Sequence, residues 1–528
     1  MSPPAAVSPV PWEVSTTSTK VEARITVKDA SMDPENELTD DISIETLRVL
    51  YERGATNPLA VVRSVYERIA AYSDKAVWIT LVPQEEAVRR AEELQNQLLS
   101  ERGTQHQRPA LFGIPFSVKD SIDIAGMPTT LACPSFAYTA STTAPVVQRI
   151  LDAGGILIGK TNLDQFATGL NGTRSPYGMP RCVHDPDYIS GGSSSGSVVS
   201  VAANLVSFTV ATDTAGSTRV PAALNGMVGL KPTLGTVSTV GLVPACKTAD
   251  CITIIARTVE STVAALDVMQ SYDEDDVYAR EPQQLAMLAQ LEQPLLERWE
   301  LTRSLSPSSQ NVPINLRIGL PPRVLLDSVL SAEYAQLFDR FTTRLCDLDI
   351  QVAAEFDYAP FAAANAMLYG SSIVAQRVVA FKDYLDRHGH DQLHPVIREI
   401  FESSAGFDAV RAYQDIFDLA SSRRLAAKQF RRGESGVGID VLVVPSTATH
   451  PTVQEMLADP INLNKRLGSF SHFVNLLDLC AVSIPVTGAT WKSRRLGRDM
   501  PFGITLISLP GSDRRLLRLC HHLRNLRV

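Results

Sequence analysis

The sequence predicts an α/β fold in which a central mixed β-sheet is covered by helices on both faces. Three observations carry this. Short apolar runs (LFGIPFSV, GILIGK, SFTVAT) alternate with helical stretches (TTAPVVQRILDAG, SGSVVSVAANLV) through residues 111–220, the rhythm of strands and covering helices. Gly and Ser cluster where those strands meet those helices, which is where sites form. Further strand-like segments, INLRIGLP, DVLVVPS and PFGITLISLP, follow late in the chain and are expected to complete the same sheet rather than build a second domain.

Taken in order, residues 1–38 are rich in Pro, Ser, Thr and acidic residues and are expected to form a flexible N-terminal tail. A single domain is expected over 39–528. It opens on a helical period, Ile42, Ile44, Leu47, Leu50 and Tyr51, then Val61, Val65 and Ile69. Residues 84–99 read as a charge-laced helix (EEAVRRAEELQNQLL). A polar stretch at 275–313 (DEDD, LEQPLLERWE, SPSSQN) is expected to be a surface insertion. Long helices are expected from there to about residue 430, and SDRRLLRLCHHLRNL closes the chain as a helix.

Composition bounds the function. The chain has 528 residues, 45% of them hydrophobic and 20% charged, as in a soluble globular protein. A formal charge of -8 without a basic block argues against a nucleic-acid partner. Seven scattered cysteines are no disulfide framework, and Cys246 and Cys251 have no second Cys/His pair at zinc spacing. No metal or other cofactor is expected. No run reaches the roughly twenty apolar residues of a membrane span, and the N-terminus lacks the pattern of a signal peptide, so a cytoplasmic protein is expected.

Three motifs compete for the chemistry. Gly154–Thr161 reads GGILIGKT and satisfies the phosphate-loop pattern G-x-x-x-x-G-K-[ST]. That loop needs a strand before it and a helix after it, whereas here a helix precedes and Ile156-Leu157-Ile158 reads as strand. Gly192–Gly196, GSSSG, fits a nucleophile elbow around Ser194, but HDPDYISG before it is not a launching strand. Of the later histidines, only His450 and His472 lie near plausible loops for such a triad.

The third motif is a constellation. Lys119 follows an apolar strand in FGIPFSVKDSID, and YISGGSSSGSVVSVAANLVSFTVATDTAGSTRVPAALNGMVGLKPTLG runs from Tyr188 to Gly235. This segment resembles the amidase signature family, with its Gly-Gly-Ser-Ser entry, Thr-Asp-Thr and small-residue turn before Ser, a variable residue and Arg. The resemblance implies the amidase-signature fold. It places Ser217 as nucleophile, Ser193 as bridging serine on a cis peptide bond, and Lys119 as base. A serine hydroxyl needs a neighbour to remove its proton, and lysine can do so only if burial keeps its amine neutral. Thr214, Ala215, Gly216 and Ser217 would aim backbone N–H groups at the developing oxyanion. Ala215 stands where the family commonly has glycine. Arg219, just past Ser217, is expected to hold local structure through an ion pair rather than touch substrate, and Asp213 to have a similar scaffolding role.

The match extends to TTLACPSFAYT, GKTNLDQFATGLNGTRSPYG, GLVPACKTADCITIIART and NLNKRLGSFSHFVNLLDLCAVSIPV. These resemble the allophanate hydrolase branch, from about residue 40 onward. That resemblance implies a small ureido carboxylate as substrate, its far end held by Tyr369 and Arg377 of MLYGSSIVAQRVV, with Gly169 as a backbone contact. Eight residues apart on one helix, about two turns, both side chains could face one pocket. It further implies hydrolysis through an acyl-enzyme with release of ammonia, in urea degradation, by a homodimer. That branch commonly carries a further C-terminal domain, and the amidase part without it is what is expected of this sequence. Two alternatives stay open: an amidase for another carboxylate-bearing or secondary-metabolite amide, and a glutamine-hydrolysing subunit of an amidotransferase.

Overall fold

In the computed structural model the described residues are 40–100, 108–288, 316–347, 350–430, 438–523 and Leu526. The expected tail, 1–38, and most of the expected insertion, 289–313, lie outside them. Residues 275–288 of that stretch are described, and they begin packed: Asp276 is buried, and its carboxylate accepts from the N–H and hydroxyl of Thr239 at 2.7 and 2.9 Å.

Thirteen strands are found among the described residues. They are β1 (Trp78–Leu81), β2 (Pro115–Lys119), β3 (Pro128–Thr129), β4 (Tyr138–Thr139), β5 (Ile156–Thr161), β6 (Phe208–Thr212) and β7 (Val228–Lys231). Then come β8 (Ile252–Ala256), β9 (Arg317–Gly319), β10 (Gln351–Val352), β11 (Val441–Pro445), β12 (Cys480–Lys492) and β13 (Asp499–Ser508). Eleven form one sheet in the order β1-β5-β2-β6-β8-β7-β12-β13-β11-β9-β10, while β3 and β4 pair separately. The late strands β9, β11 and β13 do join that sheet, as their apolar runs predict.

The sheet is mixed. β5, β2 and β6 are parallel neighbours, as are β10, β9 and β11, and the remaining pairings are antiparallel. Every residue of β2, β6, β8 and β11 is buried, so both faces are covered, which is why these strands read as continuous apolar runs without alternation. Helix Ser195–Ala202 packs on β2, β5, β6 and β8, and helix Val259–Met269 on β6, β7 and β8. At the N-terminal edge the helical period becomes two helices, Ile44–Arg53 and Pro58–Ala71. The second starts where Asn57 caps the N–H of Ala60 and Pro58 occupies the first turn, where a missing N–H costs nothing.

The parallel triplet matters most. Parallel strands point their carboxyl ends the same way, and the segments leaving those ends share one rim. β2 ends at Lys119, β6 runs into Asp213 and the turn to Ser217, and β5 runs into Asn162 and the loop to Gly169.

Candidate active site

Lys119 is fully buried, with its Nζ 2.8 Å from Ser193 Oγ, 3.0 Å from Ser194 Oγ and 2.8 Å from Thr212 Oγ1. The Ser194 hydroxyl proton is committed to the Thr212 carbonyl at 3.2 Å, so Ser194 receives an N–H from the lysine. A neutral amine has two N–H groups and one lone pair. With one N–H given to Ser194, the other N–H and the lone pair are left for the Ser193 and Thr212 hydroxyls, both at 2.8 Å. Burial pushes the Lys119 amine down to about 7, against the opposing pull of the Asp164, Asp213 and Asp250 carboxylates.

Ser193 follows a cis peptide bond from Gly192. Its carbonyl accepts the Asp164 N–H at 3.1 Å, and the Ser194 N–H donates to the Ser217 carbonyl at 3.3 Å, tying the two serine segments together. Ser193 and Ser217 are both buried.

The turn before Ser217 is braced from below. Asp213 and Arg219 are buried and paired at 2.8 Å, and Arg219 also donates to the Ser471 carbonyl and to Asn475 Oδ1. Burial alone would raise the Asp213 carboxyl, but the Arg219 guanidinium and the Gly216 N–H hold it below its ordinary value. The Thr214 hydroxyl donates to Asp250. Gly216 has φ +116°, and a Cβ there would collide with the Ser471 side chain, so only glycine fits.

One of the four expected oxyanion donors is already engaged: the Gly216 N–H points at Asp213 Oδ1, 2.7 Å away. Among the described residues, no hydrogen bond uses the N–H of Thr214, Ala215 or Ser217. Cys246 shares an apolar cluster with Ala215, but burial pushes its thiol up to about 12, so it offers no thiolate.

Arg377 and Tyr369 meet, although not on one helix. The chain breaks after helix Ala359–Gly370, passes a single tight turn at Ser372–Val374, and restarts as helix Ala375–Ala380. The break is fixed by Ser371, whose hydroxyl accepts the Ile373 N–H at 3.3 Å, and by Asp415, which accepts the Ser372 N–H at 2.8 Å. Arg377 is 1% exposed, its Nη2 lies 3.4 Å from the Tyr369 hydroxyl, and its guanidinium carbon sits 5.5 Å from the Tyr369 ring centre. Among the described residues, no carboxylate pairs with Arg377 or with the equally buried Arg174. Gly169 lies against Asp164, where a Cβ would come within 2.6 Å of Oδ2.

Several residues around these groups were not expected from the sequence. Ser194 and Thr212 complete the lysine's surroundings. Asp164 Oδ2 accepts the Gly172 N–H at 3.0 Å and Oδ1 accepts the Arg174 N–H at 3.0 Å, holding the loop that carries Gly169. His472 stacks edge-on against Tyr369 at 5.3 Å, and burial together with the charges of Arg219 and Arg377 pushes its imidazole down to about 3.

The decoys fall where their context places them. Lys160 of the phosphate-loop pattern is buried in β5, 3.3 Å from Asp120, and donates to the Pro128 carbonyl and Thr129 hydroxyl. His450 is engaged with the Ile189 carbonyl at 2.9 Å. Cys246 and Cys251 are both buried free thiols. Among the described residues, no cluster of His, Cys, Asp and Glu could hold a metal ion, and no helix is long and apolar enough to cross a membrane.

A family profile described as Amidase matches residues 60–517. The chain belongs to the amidase family. It is 37% identical over 446 residues to urea amidolyase of Saccharomyces cerevisiae, a match covering 84% of this chain and 22% of that protein. The chain therefore spans about a fifth of the length of that relative. The solved allophanate hydrolase of Kluyveromyces lactis superposes with a TM-score of 0.76 at 32% identity, covering 92% of this chain and 72% of that one. A glutamyl-tRNA(Gln) amidotransferase subunit from Salinibacter ruber is 41% identical over 226 residues, 43% of each chain. These likenesses make this amidase an amide hydrolase and are consistent with an allophanate-hydrolase-like amidase domain.

Proposed function

We propose that this amidase hydrolyses a small carboxylate-bearing amide, allophanate first among them, through an acyl-enzyme on Ser217. The observation that carries the mechanism is the buried Lys119 amine, 2.8 Å from Ser193 Oγ and pushed down to about 7. In its neutral form it takes the Ser193 proton as Ser193 takes the Ser217 proton, and the Ser217 oxygen attacks the amide carbon. The oxyanion collects on the N–H groups of the Thr214–Ser217 turn that Asp213 does not already use. The proton then returns through Ser193 to the departing nitrogen, which leaves as ammonia, and water frees the acid from Ser217.

The substrate class is supported by Arg377. A buried guanidinium without an ion-pair partner is costly, and an anionic ligand relieves that cost. Its planar fork suits a carboxylate by paired hydrogen bonds, with the Tyr369 hydroxyl and the Gly169 backbone alongside. The domain reading, one catalytic unit over 39–528, and the homodimer belong to the same proposal.

Ammonia release tests it. Ser217→Ala and Ser193→Ala are expected to lose at least about a hundredfold in kcat. Near-normal turnover in either variant would refute the mechanism. Equal kcat/KM on allophanate, malonamate and simple aliphatic amides would refute the substrate class.

A further inference from the structure

We propose that Thr168 is the positioning residue for carboxylate recognition: its side-chain oxygen sets the direction of the Arg377 guanidinium, and Arg174 in turn fixes Thr168. This rests on the reading that the substrate carries a carboxylate.

Thr168 is fully buried, and Arg377 Nη1 donates to its Oγ1 at 2.7 Å. The Thr168 hydroxyl proton is already given to the Phe166 carbonyl at 3.0 Å, so lone pairs alone face the arginine. The hydroxyl is therefore a fixed acceptor. The other contact on that guanidinium, from Nη2 to the Tyr369 hydroxyl, is longer at 3.4 Å. Without Thr168 the planar fork would keep its charge and lose its bearing, and paired recognition of a carboxylate depends on that bearing.

Thr168 is itself held from several sides. Arg174, 1% exposed, donates from Nη1 to the Thr168 carbonyl at 2.9 Å and from Nη2 to the Pro460 carbonyl at 2.8 Å. Phe166 and Ala167, just before it, sit at φ +52° and +51°, a left-handed conformation that such residues adopt only when surroundings impose it. The surroundings here are hydrogen bonds from the Phe166 N–H to the Leu131 carbonyl at 3.0 Å and from the Gln165 N–H to the Arg174 carbonyl at 2.8 Å. The residue after Thr168 is Gly169, the expected backbone contact, so one short segment places both the arginine and its neighbour.

The test is a selectivity ratio: kcat/KM on malonamate divided by kcat/KM on malonamide, its neutral isostere. Thr168→Val keeps the shape and removes the oxygen. It is expected to lower the ratio about tenfold or more, through KM for malonamate, because a hydrogen bond to a charged group is lost. Thr168→Ser is expected to restore it. In an Arg377→Ala background, Thr168→Val should lower the ratio no further, since both act through the same guanidinium. Thr168→Ala serves the same comparison if the valine variant does not fold. A loss of kcat shared equally by both substrates, or a serine variant as impaired as valine, would overturn the inference. Should Arg377→Ala collapse the ratio while Thr168→Val leaves it intact, Thr168 is no positioning residue and the carboxylate reading stands. Should Arg377→Ala itself leave the ratio unchanged, the carboxylate reading falls, and this inference with it.

Discussion

The protonation of Lys119 should be visible in the rate. Its amine is pushed from 10.5 down to about 7, a net displacement of roughly 5 kcal/mol against the charged form that remains after the opposing pull of Asp164, Asp213 and Asp250 on the effect of burial. If the neutral amine is the base, about one-tenth of molecules are competent at pH 6 and about nine-tenths at pH 8. We therefore expect kcat/KM for malonamate to rise about tenfold between those pH values, then level off. His472 and His450 cannot mimic this limb, because His472 is pushed down to about 3 and His450 to about 4. Lys119→Arg sharpens the test, since a guanidinium stays protonated throughout that range and cannot accept the Ser193 proton. Its turnover should fall by about a hundredfold to ten-thousandfold at every pH. The assay is ammonia release by a coupled reductive amination, run from pH 5 to 9 in buffers of constant ionic strength. A wild-type profile flat down to pH 5, or an arginine variant within tenfold of wild type, would refute the role assigned to Lys119.

Three further outcomes follow from the same geometry. Arg219→Met strands a buried Asp213 carboxylate, and we expect a loss of about 3–5 kcal/mol in urea unfolding; a loss under 1 kcal/mol would mean the pair does not brace the turn. Gly216→Ala must push a Cβ into Ser471 at a positive φ, so kcat should drop about a hundredfold, checked by single-turnover kinetics, and unaltered turnover would sink the claim that only glycine fits. The stability of wild type relative to Lys119→Met should climb between pH 7 and 10.5, because the folded chain has already released a proton that the unfolded chain still holds; denaturant melts across that window would show it, and a flat difference would contradict a depressed Lys119.

Lys119, Ser193 and Ser217 are singled out in the sequence by the resemblance of the motifs around them to the amidase signature, and Lys119 also by the apolar run of β2 that ends on it. The structure brings Lys119 to Ser193 through the parallel pairing of β2 with β6 and the helix laid over both. Ser194 and Thr212 were not legible as partners of the lysine, since a hydroxyl becomes a neighbour only after strand register is set. The GSSSG pattern offered Ser194 a different part, and the missing launching strand was the signal against it. The break between Tyr369 and Arg377 was hidden for a related reason. YGSSIVAQR is compatible with a continuous helix, and the break is fixed by the Ser371 hydroxyl together with the carboxylate of Asp415, over forty residues away. Gly216 was expected to donate to the oxyanion. Asp213, three residues back, claims its N–H because the same turn that exposes Ser217 folds that carboxylate underneath.

The interrupted helix has a consequence for how this scaffold can change. The two side chains proposed to hold the substrate carboxylate hang from separate pieces of backbone, joined by a short tight turn and steadied by one distant carboxylate. Substitutions at Ser371, Ser372 or Asp415 would re-aim Tyr369 against Arg377 while leaving the strand ends that carry Lys119 and Ser217 untouched. On the proposed reading, selectivity and bond-breaking occupy different mutational addresses, and a search for new amide preferences has a compact place to begin.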